Sequence, residues 1–262
     1  MVQATRDEDP NAAPYSEDAA PTVAVVGAGP GLGASVARRF AAEGCRVGLF
    51  ARSSERLSTL EDAIADEGGR AVAVPTDVTD SDAVEHGFER LREAFGPVDC
   101  LVSTLYATDA SGGTPAETAP SDLRDALRVE VEGLYRCVDA ALPDLREGGR
   151  EDTGTVILTN TEGARRGDSG SLARSVARAG LASLADALAD AERDHGVHVV
   201  HAQIDGWIAT PPLREAFPDR PEEQWISPAG IATAYWNLHT QPPGAWTSEL
   251  NLGRAGDGTE TA

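Results

Sequence analysis

Residues 22–33 read Thr-Val-Ala-Val-Val-Gly-Ala-Gly-Pro-Gly-Leu-Gly, a short apolar run that stops in a glycine-rich turn. Val23, Ala24, Val25 and Val26 have the continuous apolar character of a strand buried on both faces of a parallel sheet. Gly27, Gly31 and Gly33 follow, and Val36, Ala37, Phe40 and Ala41 then recur at helical spacing over 34–44. Strand, tight turn and helix in that order make a phosphate site. The glycines permit the turn, bring backbone N–H groups close to a pyrophosphate, and let the helix pack on the strand. The helix N-terminus adds partial positive charge at the same place. Gly27, Gly29, Gly31, Leu32 and Gly33 are the first candidate dinucleotide-binding residues.

The alternation continues along the chain. Strands are predicted over 46–50, 71–75, 98–102, 155–159, 197–204 and 248–252, and helices over 54–67, 82–95, 121–145, 171–194 and 228–238. A Gly/Thr/Ser/Pro-rich loop spans 107–119, and the stretch before the last helix reads as irregular. Strands alternating with helices specify a doubly wound parallel sheet. The expectation is an α/β chain with one Rossmann-type domain over 22–252, in which about seven strands are flanked by helices. A disordered acidic tail is expected over 1–21 and a flexible tail over 253–262.

All basic residues are arginine: 22 against 43 acidic residues, with no lysine, for a net charge of −21. So negative a surface disfavours nucleic acid and anionic membranes as partners. It suits concentrated salt, where screening relieves self-repulsion; an acidic protein from a GC-rich genome is the alternative. No apolar run is long enough to span a bilayer. Residues 1–21 lack a basic stretch followed by an apolar core, so no signal peptide is read there. Cys45, Cys100 and Cys137 form no paired motif, which points to a reducing cytoplasm. His195, His198 and His201 resemble a metal cluster only at first sight. Strand residues three apart point to opposite faces, so no metal site is assigned.

The order of these pieces resembles the short-chain dehydrogenase/reductase family from residue 22 to residue 252. Gly27, Gly31 and Gly33 match that family's Gly-x-x-x-Gly-x-Gly, with Val26 where Thr is usual. Thr76-Asp77-Val78 resembles its Asp-Val pair, which contacts adenine. Ile204-Asp205-Gly206, followed by Trp207-Ile208-Ala209-Thr210-Pro211, resembles the Pro-Gly segment and following Thr that close over the nicotinamide, with Asp205 in the Pro place. Ser103-Thr104-Leu105-Tyr106 stands where the family has Asn-Asn-Ala-Gly. The resemblance implies cofactor contacts from Asp77, Val78, Ser103, Gly206, Ile208 and Thr210, and a small-molecule substrate. It also implies a homodimer or homotetramer, paired through the long helices over 121–145 and 171–194.

Cofactor choice turns on the end of the second strand, Phe50-Ala51-Arg52-Ser53. The acid that would hold the ribose 2′-OH of NAD is absent, whereas Arg52 and Ser53 offer a guanidinium and a hydroxyl to the 2′-phosphate of NADP. NADP(H) is therefore expected in preference to NAD(H). The plainer reading of Arg52 is a solvated side chain beside a helix start.

The family's proton shuttle is a Tyr four residues before a Lys, on the helix after the fifth strand. Aligned on Ala179-Gly180-Leu181, Arg174 falls at the Tyr place, Arg178 at the Lys place, Thr161 at the Ser place and Glu130 at the Asn place. Thr161 keeps a hydroxyl for a carbonyl, and Arg178 keeps a cation for the ribose. Arg174 is a poor proton donor because guanidinium stays protonated. Tyr106 is an alternative donor, and Glu130 suggests a structural ion pair with one of the arginines. Thr161, Arg174, Arg178 and Tyr106 are the candidate catalytic residues. Two functions compete. The first is an NAD(P)-dependent oxidoreductase with a non-standard site, slow on simple carbonyls and alcohols. The second is an inactive NADP(H)-binding sensor or partner protein.

Overall fold

The structure, a computed structural model, describes residues 20–106, 114, 116–147, 153–161 and 171–253. Among them the strands are β1 (Thr22–Val26), β2 (Arg46–Ala51), β3 (Arg70–Pro75), β4 (Cys100–Ser103), β5 (Gly154–Thr161), β6 (Val197–Ile204), β7 (Trp207–Ile208), β8 (Trp225–Ile226) and β9 (Glu249–Leu252). The helices are α1 (Leu32–Ala42), α2 (Ser54–Asp66), α3 (Ser81–Phe95), α4 (Pro120–Leu127), α5 (Leu134–Glu147), α6 (Leu172–Glu192), α7 (Pro211–Ala216) and α8 (Pro228–His239). Seven strands form one sheet in the order β3-β2-β1-β4-β5-β6-β9, and every pairing in it is parallel.

Alternation along β1 divides the core in two. Val23 and Val25 pack with Phe40 of α1, Leu57 of α2 and Tyr235 of α8. Ala24 and Val26 pack on the other face with Phe88 of α3, Leu145 of α5 and Leu188 of α6. Each large apolar side chain removed from water in this way contributes about 1.5–3 kcal/mol. Both faces are covered, which is why β1 reads as an unbroken apolar run. Side chains of Ser53, Asp80, Ser171 and Ser227 cap α2, α3, α6 and α8.

The chain winds outward from β1 to β3 and then crosses back to β4 on the other side of β1. Val26, the last residue of β1, pairs with Phe50 on one flank and Ser103 on the other. This reversal opens a crevice beyond the carboxyl ends of β1 and β4, where ligands of doubly wound sheets bind.

Several expectations need correction. The helix read over 121–145 is not continuous: α4 ends at Leu127, a π-helical segment covers Arg128–Gly133, and α5 follows. The segment holds Gly133 against Val78, where a Cβ on Gly133 would lie 2.7 Å from Val78 Cγ2. The strand read over 98–102 begins only at Cys100, because the Asp144 carboxylate takes the Val98 N–H at 3.1 Å. The supposedly irregular stretch contains α7 and the β7–β8 pair, in which Ile208 lies opposite Ile226. Cys45, Cys100 and Cys137 are buried and in no disulfide, and burial pushes Cys137 up to about 12. Among the described residues, no helix is long and apolar enough to cross a membrane. Of the tails called over 1–21 and 253–262 and the loop called over 107–119, residues 1–19, 254–262, 107–113 and 115 lie outside the described residues, whereas Ala20 and Pro21 are buried and Arg46 N donates to Pro21 O at 2.8 Å.

Candidate active site

The glycine turn is built for close approach. Gly27 has φ +94°, and a Cβ there would lie 2.8 Å from the carbonyl carbon of Thr104. A Cβ on Gly33 would lie 2.3 Å from the Gly27 carbonyl oxygen, and one on Gly31 would lie 2.9 Å from Thr210 Cγ2. Gly29 N donates to Gly27 O at 2.6 Å, and Gly31 N to Gly29 O at 2.7 Å, which curls the turn ahead of Leu32. No side chain caps α1 at Gly31. Ala34 N donates to Gly29 O at 3.0 Å, so the Leu32 and Gly33 N–H groups are the ones offered to an anion, and the cradle fits a pyrophosphate. Thr104 Oγ1 donates to Gly27 O at 2.8 Å and ties the end of β4 to this turn.

The proposed adenine side lies along the ends of β2 and β3. Asp77 accepts from Thr79 N at 2.9 Å and from Thr79 Oγ1 at 2.8 Å. These bonds, chiefly the backbone one, hold its carboxyl below the usual range; partial burial opposes them, and Arg52 and Arg128 add to them. Val78 is buried against Gly133. Arg52 is exposed, and Ser53 Oγ accepts from Arg56 N at 3.4 Å as the α2 cap. Ser103 is buried, and its Oγ accepts from Leu105 N at 3.4 Å. Gly206 (φ +135°) turns the chain out of β6, and Thr210 N donates to Ile208 O at 2.7 Å, which sets Thr210 over Gly31.

A second cluster gathers the residues singled out for chemistry. Thr161 ends β5, and Arg174 and Arg178 lie one turn apart on α6, on one face. Arg178 Nη1 donates to Thr161 Oγ1, and Arg174 Nη1 donates to Tyr106 Oη. Both guanidinium carbons lie 5.4 Å from the centroid of the Tyr106 ring. Arg178 is buried, whereas Tyr106 is 48% exposed. Arg174 and Arg178 thus bond the hydroxyls of Tyr106 and Thr161. Glu130 itself is buried on the π-helical segment, and π-bulges recur at functional sites.

Asn160 is a residue that sequence reasoning missed. It is buried; its Nδ2 donates to Arg178 O at 3.0 Å and lies 3.0 Å from His201 Nε2, while its Oδ1 accepts from Thr161 N at 2.8 Å. One amide thereby joins the ends of β5 and β6 to α6 and positions Thr161 and Arg178. The available signal was an amide one residue before the end of a strand whose middle, Val156-Ile157-Leu158, is apolar. His198 turns elsewhere, its Nε2 lying 2.8 Å from Thr247 O and its ring stacked on Trp246.

Residues 21–221 match the family model described as short chain dehydrogenase. The chain belongs to the short-chain dehydrogenase family. An uncharacterized oxidoreductase of Bacillus subtilis is 28% identical over 219 residues, 80% of this chain and 78% of the relative. A short-chain dehydrogenase from Rhodopseudomonas palustris superposes with a TM-score of 0.74 at 29% identity, covering 88% of this chain and 97% of that one. A point variant of actinorhodin polyketide ketoreductase, solved with NADPH, gives 0.79 at 25% identity over 91% and 96% of the two chains. This member of the family has no lysine. The cations on its helix after β5 are Arg174 and Arg178, and the only phenol described beside them is Tyr106.

Proposed function

We propose that this short-chain dehydrogenase is an NADP(H)-dependent oxidoreductase that interconverts a small carbonyl compound and its alcohol, with Tyr106 as proton donor. The observation that carries the reading is the hydrogen bond from Arg174, at the family's Tyr place, to the Tyr106 phenol oxygen. It supplies a phenol where the helix itself has none. The Gly27–Gly33 cradle would hold the pyrophosphate, Asp77 and Val78 the adenine, and Arg52 and Ser53 the 2′-phosphate. Arg178, Ser103, Gly206, Ile208 and Thr210 would flank the nicotinamide end.

A bound reduced nicotinamide supplies a hydride to the carbonyl carbon. Thr161 Oγ1 accepts from Arg178, so its own O–H is left to polarise the carbonyl oxygen. Tyr106 Oη accepts from Arg174, so its O–H is left to protonate the oxygen as negative charge develops there. Arg174 keeps a positive charge beside the phenol oxygen as the proton leaves. The half-exposed phenol then recovers a proton from water. Alcohol oxidation runs through the same groups in reverse.

The test is NADPH oxidation against a panel of aldehydes, ketones and oxo acids. Turnover that falls by about 10²–10⁴-fold in Tyr106→Phe, with NADPH affinity kept, supports the reading. NADPH binding with no turnover of any member would leave a sensor or partner protein instead. A cytoplasmic homo-oligomer completes the proposal; exposed Tyr135, Leu172 and Val176 on α5 and α6 favour pairing there. Light scattering that reports a monomer in molar KCl would exclude the oligomer.

A further inference from the structure

We infer that the carbonyl substrate carries a carboxylate, and that Arg174 receives it. The inference rests on the reading above, which places the reacting carbonyl between Thr161 and Tyr106. Acids outnumber bases 43 to 22 in this chain, and Arg38, Arg39, Arg92, Arg136, Arg146 and Arg214 each meet a carboxylate. Among the described residues, Arg174 and Arg178 meet none. Among the described residues their side-chain partners are the Thr161 and Tyr106 hydroxyls and the Tyr106 ring. Two like charges thus flank one phenol with no counter-ion among the described residues, and one of them is buried. Such a pair is repulsive until an anion joins it.

The geometry selects which guanidinium and which anion. Arg178 is committed to Thr161 and lies below the surface. Arg174 is half-buried; its Nε is enclosed without a partner, and its Nη1 holds Tyr106. Its Nη2 group remains, and its N–H bonds suffice for one oxygen of a carboxylate. One guanidinium then holds both the carboxylate and the proton donor. The carbonyl therefore lies one or two bonds from the carboxylate, as in a short 2-oxo or 3-oxo acid. The reaction balances as before: the carbonyl carbon gains the hydride of the reduced dinucleotide, the C=O π bond opens, and the oxygen takes the Tyr106 proton. Hydroxy acid and oxidised dinucleotide are formed.

Matched acids and esters isolate the charge. Wild-type protein with NADPH is assayed on 2-oxobutanoate against methyl 2-oxobutanoate, and on 3-oxobutanoate against its methyl ester. The free esters are the more electrophilic, so a preference for an acid must come from the protein. We expect kcat/KM about 10–100-fold higher for at least one acid. Arg174→Gln should erase that preference chiefly by raising the KM of the acid. Esters turned over as well as the acids, or a preference kept in Arg174→Gln, would overturn the inference and leave the oxidoreductase reading standing. A preference for dihydroxyacetone phosphate over dihydroxyacetone without acid–ester discrimination would overturn it as well. If no carbonyl is reduced, the oxidoreductase reading fails, and calorimetry with oxamate decides the anion site alone. Oxamate binding lost in Arg174→Gln upholds it; absent binding, or binding equal in the variant, overturns it.

Discussion

Arg174 donates a hydrogen bond to the phenol oxygen of Tyr106 across 68 residues of chain, tying α6 to the segment after β4. In the proposed reaction the helix would offer the cation and the segment after β4 the phenol.

If the two act as one unit, their losses are not additive. Tyr106→Phe and Arg174→Met should each lower kcat by about 10²-fold or more, and the double variant should be no slower than the slower single one. Steady-state rates of the four proteins complete the cycle. Losses that multiply would mean independent roles.

Asn160 bridges β5, β6 and α6, so Asn160→Ala leaves the Arg178 carbonyl and the Thr161 N–H without that amide. Leaving buried polar groups unmade costs about 1–3 kcal/mol. The melting temperature should drop, and kcat should fall even at temperatures where the variant is fully folded. An unchanged kcat in the folded variant would confine Asn160 to stability.

Arg52→Asp should weaken NADPH binding by about 10-fold or more while leaving NADH binding within a factor of about two, because only the former carries a 2′-phosphate. Fluorescence titration of both cofactors in high salt measures this. Equal affinity of the wild type for the two cofactors would remove the basis for the preference.

Glu192 gives a pH dependence with a definite sign. Its side chain is 5% exposed, and Arg146 bonds both of its oxygens, at 2.6 and 2.7 Å. That hydrogen bond, opposed by partial burial, holds the carboxyl below its usual range. The stabilisation is therefore present above the unfolded value of about 4.3 and is lost as pH falls through the lower folded one. The melting-temperature gap between wild type and Glu192→Gln should be steady above about pH 5 and shrink toward pH 3. A gap that widens on acidification would contradict the assignment.

With a net charge of −21, stability should rise from low to molar KCl as screening relieves repulsion among surface carboxylates. Thermal melts across that range give the answer. A flat or falling melting temperature would argue against salt adaptation.

Much of the fold was legible in short stretches of sequence. The run Val23–Val26, the glycines after it and the helical spacing of Val36, Ala37 and Phe40 each depend on neighbours within a turn or a pleat, so periodicity alone carries them. β7, β8 and α7 were not legible, because Trp207 and Trp225 pair only once the intervening chain has looped back. The π-helical segment was hidden for a related reason: a wide turn among good helix formers is set by what packs against it, here Val78 on Gly133.

The sequence by itself determined a glycine turn between strand and helix of a parallel sheet, where the proposed dinucleotide would lie, and that no lysine could serve the site. Which phenol stands beside Arg174 was decided only in three dimensions. Residues 106, 161, 174 and 178 sit on three segments that meet because β4 and β5 are parallel neighbours and α6 crosses over the same sheet end. No local pattern encodes that meeting; it follows from burying the two faces of the sheet together.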